Sequence, residues 1–231
     1  MTKGVFLIGT DRDVGKTMVG AGLVALLRER GRMAALMTPI STGGAVESAR
    51  NLLEESGTPD LARRLINPIQ FETLAAPYVA SLVEQSPIDP KVVLDAFEEL
   101  TRLGFFVVVE GGGAMVPIRN DYFMLDLLKD MNLPSIIVAR SSRGTINHSL
   151  LTTRVMAASG LTPLGFVLNG YGRFGEGFAE SLNADTLAEL VPDIPVLANL
   201  EWRPSYGEDF QLFVRELGRQ QALKTLLEKW T

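Results

Sequence analysis

The sequence predicts an α/β fold in which helices cover both faces of a mainly parallel central sheet. Short apolar, β-rich runs alternate with longer helical patterns along the 231 residues, as they do when helices join parallel strands. One run, Phe105–Val109, is apolar at every position, which is typical of a strand covered on both faces. No repeat, low-complexity tract or long linker interrupts the alternation. We therefore expect residues 1–231 to form a single domain with Phe105–Val109 as its central strand.

The expected elements follow one another in chain order, each strand being a short apolar run between helical segments. The strands are expected at Val5–Ile8, Met33–Met37, Phe105–Val109, Ser135–Ala139, Leu164–Leu168 and Pro195–Ala198. The helices are expected at Lys16–Arg30, Lys91–Leu103, Tyr122–Met131, Asn147–Ala158 and Glu176–Leu190, with C-cap glycines at Gly31, Gly104 and Gly160. The proline-containing segment Thr42–Pro90 is expected to pass over the strand ends without a core of its own.

Composition limits the classes of partner. The net charge is −5, and the lysines and arginines are scattered, so a general nucleic-acid surface is not expected. The apolar runs are far shorter than the roughly 20 residues that span a bilayer, and no secretory signal precedes Val5. Cysteine is absent, which agrees with a reducing compartment. We expect a cytoplasmic protein without membrane or nucleic-acid partners, in which any polyanion is small and locally bound.

A glycine-containing loop, Gly9–Thr17, stands between the first strand and the first helix. Such a loop turns its backbone N–H groups inward, and the following helix adds a partially positive N-terminus. A lysine there reaches the outer phosphates of a nucleotide, and a threonine hydroxyl reaches Mg²⁺. The alternative is an ordinary helix start, but the strand before the loop favours a P-loop NTPase fold that binds ATP. The residues predicted to bind ATP here are Asp13, Val14, Gly15, Lys16 and Thr17.

The spacing in this loop differs from the usual pattern. Five residues separate Gly9 from Gly15, whereas the usual pattern has four. The loop is therefore a variant.

A second glycine cluster follows the Phe105–Val109 strand directly. It consists of Glu110, Gly111, Gly112 and Gly113. Ligands of open α/β sheets bind at the carboxyl ends of strands, so this carboxylate is expected beside the first loop. The alternative is a tight turn that only needs glycine. Because Mg²⁺ prefers oxygen ligands, we expect Thr17 and Glu110 to contact it and the glycines to contact ATP.

Taken in order, these and later motifs resemble the dethiobiotin synthetase family over most of the chain. The matching segments are Gly9–Thr17, Thr38–Gly43, Val109–Gly113, Gly144–Thr152 and Val167–Asn169. The Ile-Asn-His sequence at residues 146–148 is the most distinctive. The resemblance implies that Asn169 reads adenine, although a turn asparagine at a strand end is an alternative.

The resemblance also implies a reaction. One amine of 7,8-diaminopelargonate attacks CO₂, ATP phosphorylates the carbamate, and the second amine closes the cyclic urea as phosphate leaves. It assigns catalysis to Lys16, Thr17, Thr42 and Glu110, and substrate contacts to Thr38, Thr42, Gly144, Thr145, Ile146 and Asn147. We add Arg12 to the predicted catalytic residues as a cation that compensates for the threonine at position 38. The substrate carboxylate would lie at a helix start of a second subunit, which implies a homodimer. We interpret His148, the only histidine, as a structural residue.

Four positions depart from the family pattern. Thr38 replaces a lysine, and Arg12 stands in the loop where threonine is usual, so its guanidinium either contacts phosphate or faces solvent. Ser48 aligns with an aspartate that binds Mg²⁺, and the adjacent Glu47 could replace it. Gly170 follows the adenine-reading asparagine in place of an aspartate.

Those departures leave other functions open. The chain could be a divergent paralogue that acts on another carboxylate-bearing substrate, or a nucleotide-binding protein with weak catalysis. A third class is the partitioning and septum-site ATPases, which act as nucleotide-dependent switches. They carry a signature lysine five residues before the loop lysine, where this chain has Asp11. That difference places the switch hypothesis behind the ligase.

Overall fold

The computed structural model describes residues 2–43, 63–173 and 178–231. The strands are β1 (Gly4–Gly9), β2 (Ala34–Met37), β3 (Ile40–Thr42), β4 (Ile69–Phe71), β5 (Phe106–Gly113), β6 (Pro117–Arg119), β7 (Tyr122–Phe123), β8 (Ser135–Arg140), β9 (Phe166–Tyr171) and β10 (Val196–Glu201). Six of them form one sheet in the order β10-β9-β8-β1-β5-β2. Every neighbouring pair in that sheet is parallel, which confirms the predicted fold class and all six predicted strands.

Two small sheets accompany the large one. Strands β3 and β4 pair in parallel, and β6 and β7 pair antiparallel. The segment Thr42–Pro90, predicted to pass over the strand ends, contains β4 and the last residue of β3.

The helices are α1 (Lys16–Glu29), α2 (Arg63–Ile66), α3 (Pro77–Val83), α4 (Pro90–Arg102), α5 (Met124–Met131), α6 (Thr145–Ala158), α7 (Phe178–Ser181), α8 (Asn183–Leu190), α9 (Phe210–Arg219) and α10 (Gln221–Glu228). A single 3-10 turn, Pro204–Gly207, precedes α9. Gly31, Gly104 and Gly160 have φ of 78°, 90° and 74°. Left-handed backbone of this kind ends helices, as predicted.

The hydrophobic core lies on both faces of the large sheet. Along β5, Phe106 and Val108 point into one cluster, and Val107 and Val109 point into the other. Helices α1, α9 and α10 contribute buried residues to the first cluster. Helices α4, α5 and α6 contribute buried residues to the second cluster. Because both faces are covered there, residues Phe106–Val109 of the strand are all apolar.

The prediction that this apolar run is the central strand was wrong. Strand β5 lies between β1 and β2, one place from the edge of the sheet, and the two middle strands are β8 and β1. Continuous apolarity reports coverage by helices on both faces, and that coverage extends to β5. Strand order depends instead on where each crossover returns to the sheet.

The predicted helix bounds shift by one or two residues, and in two helices part of the predicted range has a different structure. Tyr122 and Phe123 form β7, and α5 begins only at Met124. The Asp126 carboxylate accepts a hydrogen bond of 2.8 Å from the Phe123 N–H, which caps the helix at that point. In the predicted helix Glu176–Leu190, the described residues from Phe178 onward form two helices, α7 and α8, separated at Leu182. Residues 176 and 177 lie outside the described ranges. No helix in the described part of the chain is both long and apolar enough to cross a membrane.

Candidate functional site

The parallel sheet brings the predicted site residues to one edge. Strands β1, β5, β8 and β9 run in the same direction, so their carboxyl ends lie side by side. The loop before α1 follows β1, Glu110 lies near the end of β5, and Asn169 lies near the end of β9. The chain that leaves β8 leads to α6. This edge is the one at which open α/β sheets bind ligands.

The loop between β1 and α1 has an unusual backbone. Asp13 has φ of 54° and Gly15 has φ of 91°, both left-handed. The first part of the loop is attached to the sheet, because the Thr10 N–H donates to the Val138 carbonyl at 3.0 Å. No side chain caps α1 at Gly15 within the described residues. The first N–H groups of α1 therefore form a partially positive end that an anion can occupy.

The Lys16 side chain lies across the loop. Its Nζ donates to the Asp11 carbonyl at 3.1 Å. It also covers Gly9, where a Cβ atom would lie only 2.6 Å from Nζ, so glycine allows the lysine to approach. Burial lowers the pKa of Lys16, against the opposing charges of Glu110, Asp13 and Asp11. A partly desolvated ammonium at this place attracts phosphate oxygens more strongly than one in water.

Glu110 accepts hydrogen bonds from two threonines. The Thr17 hydroxyl donates to Oε1 at 2.5 Å, and the Thr38 hydroxyl donates to Oε2 at 3.3 Å. Burial raises the pKa of Glu110, whereas the hydrogen bond from Thr17 and the charge of Lys16 act in the opposite direction. The structure thus brings Lys16, Thr17, Thr38 and Glu110 together, as the sequence predicted.

The donor set at Thr17 and Glu110 fits Mg²⁺. A threonine hydroxyl that gives its proton to a carboxylate keeps oxygen lone pairs for a cation. The described residues contain no cluster of three or more Asp, Glu or His side chains able to hold a metal. Beyond the oxygens of Thr17 and Glu110, phosphate oxygens and water are ligands that Mg²⁺ commonly takes in nucleotide sites. The other predicted metal ligand, Glu47, lies outside the described residues, as does Ser48.

Both backbone polar groups of Thr38, the N–H and the carbonyl, are hydrogen-bonded to residues at the end of α2 and just after it. Its N–H donates to the Ile66 carbonyl at 2.8 Å, and its carbonyl accepts a bond of 2.7 Å from the Asn67 side chain. Asn67 is 3% exposed, and its Oδ1 accepts from the Ser41 hydroxyl at 3.0 Å. Sequence analysis missed this support, because a lone Asn-Pro pair does not reveal that its side chain reaches a strand end 29 residues earlier.

The remaining predicted nucleotide contacts have different surroundings. The side chain of Arg12 is exposed, and that of Val14 is buried. Gly111 lies so close to the Phe6 ring that a Cβ atom would overlap it, so the fold itself requires glycine there. Asn169 donates from Nδ2 to the Val14 carbonyl at 3.0 Å, a contact that the sequence did not predict.

The segment predicted to contact the substrate carboxylate, Gly144–Asn147, lies at the start of α6. Gly144 has φ of 87°, and the backbone of Gly144, Asn147 and His148 lies at the exposed start of the helix. Ile146 packs against the core. Thr145 is 5% exposed, and its hydroxyl has no partner among the described residues.

Thr42, the other predicted substrate contact, ends β3. The residue after it, Gly43, donates its N–H to the Phe71 carbonyl at 3.0 Å. This position places Thr42 five residues after the end of β2. Its role in catalysis and substrate binding stays a prediction.

Comparison with known proteins agrees with this arrangement. A family model described as an AAA domain matches residues 3–209. An ATP-dependent dethiobiotin synthetase of Thermodesulfovibrio yellowstonii is 34% identical, covering 90% of this chain and 92% of that protein. The chain belongs to the dethiobiotin synthetase family. Dethiobiotin synthetases of Akkermansia muciniphila and Methanocaldococcus jannaschii are 36% and 31% identical, over 87% and 91% of this chain and 92% and 100% of theirs.

Solved structures with the same fold come from other proteins. The cell division ATPase MinD of Pyrococcus furiosus has a TM-score of 0.56 and 19% identity, covering 94% of this chain and 91% of that one. The septum site-determining protein MinD of Pyrococcus horikoshii, complexed with Mg-ADP, has a TM-score of 0.57 and 20% identity, covering 90% and 84%. At these identities the likeness shows a P-loop ATPase fold alone. Membership of the dethiobiotin synthetase family rests on the sequence relatives.

Proposed function

We propose that this protein is an ATP- and Mg²⁺-dependent dethiobiotin synthetase. It would carboxylate 7,8-diaminopelargonate and close the cyclic urea with release of ADP and phosphate. Family membership supports the ligase class, and one observation supports nucleotide chemistry at this edge. That observation is the Thr17 hydroxyl bonded to the Glu110 carboxylate at 2.5 Å, next to a lysine that crosses the phosphate loop.

The proposed reaction forms and breaks a defined set of bonds. One substrate amine attacks the carbon of CO₂ and loses a proton, which gives a carbamate. A carbamate oxygen then takes the terminal phosphoryl group of ATP, so that the P–O bond to ADP breaks. The second amine attacks the carbamate carbon, the C–O bond to phosphate breaks, and the ring closes with loss of a proton. The reaction needs charge stabilisation and positioning, and no covalent intermediate with the protein.

The residues of this chain would divide the work as follows. Lys16 and the free N–H groups at the start of α1 bind the phosphates and stabilise the charge that develops on them. Thr17 and Glu110 hold Mg²⁺, which neutralises phosphate charge when it is bound. Arg12 is exposed within the loop, from which its guanidinium would contact the terminal phosphate. Thr38 presents a hydroxyl where the family has an ammonium, so this site has one cation fewer.

The part of the site that binds the substrate carboxylate, called the acid half below, would lie at the start of α6. Gly144, Thr145, Ile146 and Asn147 would bind the substrate carboxylate, because a helix N-terminus favours an anion. The helix has 14 residues, and its first turn is accessible at Gly144 and Asn147. We propose that this segment serves the phosphate loop of a second copy in a homodimer, with residues 1–231 of each copy forming one domain. Sedimentation at several protein concentrations would detect the dimer.

The reaction itself can be tested directly. The purified protein is incubated with 7,8-diaminopelargonate, bicarbonate, ATP and Mg²⁺, and dethiobiotin and ADP are measured by mass spectrometry. We expect both products in equal amounts, and neither above background when any one component is omitted. If ATP binds but no dethiobiotin forms under these conditions, the proposed substrate is wrong.

A further inference from the structure

The contact between Asn169 and the phosphate loop points to a role beyond contact with the base. Asn169 lies near the end of β9, in register with Arg140 of β8 and Leu200 of β10. Its own carbonyl accepts a 2.8 Å hydrogen bond from the Ser141 N–H. The backbone of this asparagine is therefore fixed on the sheet, and its side chain reaches the loop from a rigid position.

The side-chain contact determines the orientation of one peptide group. Asn169 Nδ2 donates to the Val14 carbonyl at 3.0 Å. In a trans peptide the C=O and the following N–H point in opposite directions. Because the Val14 C=O points toward β9, the Gly15 N–H points away from it. That N–H donates to no backbone carbonyl of the described residues, so it is available to an anion.

Gly15 is adapted to the same contact. Its φ of 91° lies in the left-handed region, which favours glycine. A Cβ atom on Gly15 would overlap Asn169 Nδ2. The asparagine and the glycine thus fit each other, and any larger residue at either position would displace the peptide between them.

We propose that Asn169 is a positioning residue for the phosphate cradle, because it holds the Val14–Gly15 peptide with its N–H turned toward the nucleotide phosphates. This inference rests on the proposed function. Only the NH₂ half of the amide can donate to a carbonyl, so the contact also fixes Oδ1 on the side away from Val14. One asparagine can therefore position the loop and still present an acceptor to the base. The phosphate end and the base end of the nucleotide are linked through this side chain.

The decisive probe is a ligand without a base. Inorganic tripolyphosphate with Mg²⁺ is titrated against a fluorescent ATP analogue bound to the wild type, to Asn169→Ala and to Asn169→Asp. We expect both variants to bind tripolyphosphate about three- to tenfold more weakly, the range of one ordinary hydrogen bond. ATP and GTP should weaken by at least the same factor. A side chain that only reads adenine would weaken ATP alone, and that result would overturn the inference.

Asn199→Ala is the matched control. This asparagine lies on β10, and its Oδ1 accepts a 3.2 Å bond from the Ser141 hydroxyl. Among the described residues it is hydrogen-bonded to the side chains of Ser141 and Gln220, neither of which belongs to the loop. The affinity of the Asn199→Ala variant for tripolyphosphate should equal that of the wild type. Thermal unfolding followed by circular dichroism checks that each variant is folded.

A second measurement needs no ligand. In the nucleotide-free protein, the Gly15 amide resonance should shift in Asn169→Ala and stay in place in Asn199→Ala. An unshifted Gly15 resonance would refute the positioning role even if nucleotide binding weakened. If the wild type binds neither ATP nor its analogue, the proposed function fails and not merely the role of Asn169.

Discussion

Two regions at the carboxyl edge of the sheet, the phosphate loop and the start of α6, differ in how many of their polar groups are hydrogen-bonded within the chain. In the phosphate loop, side chains from β5 and β9 contact residues within two positions of Gly15: Glu110 bonds Thr17, and Asn169 bonds Val14. At the start of α6, Asn147 is exposed, and the buried Thr145 hydroxyl has no partner within the described ranges. We infer that the nucleotide half is formed within one subunit, whereas the acid half is completed by a ligand or a second subunit.

Of the substitutions that separate the two regions, removal of the loop cation is expected to have the largest effect on ATP binding and turnover. Lys16→Ala takes away the ammonium that crosses the loop, so ATP affinity or kcat should fall at least about a hundredfold, as for a lost charge-stabilising donor. Calorimetry with ATP and Mg²⁺, together with the dethiobiotin assay, measures both. Lys91→Ala is the control, because Lys91 is exposed and its ammonium forms a surface salt bridge with Asp95, away from the loop. Nearly normal turnover in Lys16→Ala would place the phosphate site elsewhere.

A substitution at the start of α6 should weaken binding of the carboxylate substrate and leave nucleotide binding unchanged. Asn147→Ala is expected to raise the KM for 7,8-diaminopelargonate about tenfold, the effect of losing one hydrogen bond to a charged group. The affinity for ATP should stay unchanged, because the loop is held by other elements. Steady-state kinetics with each substrate varied in turn separates the two. A parallel loss of ATP affinity would mean that the two halves are not independent.

Restoring the family lysine should have the smallest effect. Thr38→Lys adds a cation beside Glu110, and we expect the rate of phosphoryl transfer to rise by up to about tenfold through electrostatic stabilisation of the transition state. Thr38→Val, which removes the hydroxyl and keeps the branched shape, separates the added charge from the lost hydrogen bond. Single-turnover formation of ADP is the measurement. Unchanged kinetics in Thr38→Lys would show that this position does not face the reaction.

The sequence predicted most of the fold because its strands are covered on both faces. Continuous apolar runs identified all six strands of the large sheet, and the left-handed glycines identified helix ends. Helix α9 was not predicted, although Phe210, Phe213, Val214 and Leu217 are buried at helical spacing. The position of β5 in the sheet could not be predicted, because the residues of a strand do not indicate which strands lie beside it.

The site divides in the same way. Lys16, Thr17 and Glu110 could be predicted together. The loop that follows β1 leads to Lys16 and Thr17, Glu110 lies in the second half of β5, and the carboxyl ends of these parallel strands lie at the same edge. The bonds from Asn67 to Thr38 and from Asn169 to Val14 join residues 29 and 155 positions apart. Such contacts depend on packing across elements, and the residue types alone do not indicate them.

The strand that carries the phosphate loop also has a consequence for biosynthesis. Strand β1 lies between β5 and β8, with Gly4 in register with Val107 and Phe6 with Ser135. While a ribosome makes the chain, this apolar strand is translated about a hundred residues before its first neighbour, at roughly 5–20 residues per second. For several seconds it must stay unpaired without aggregating. Newly made chains should thus depend most on chaperones before β5 emerges.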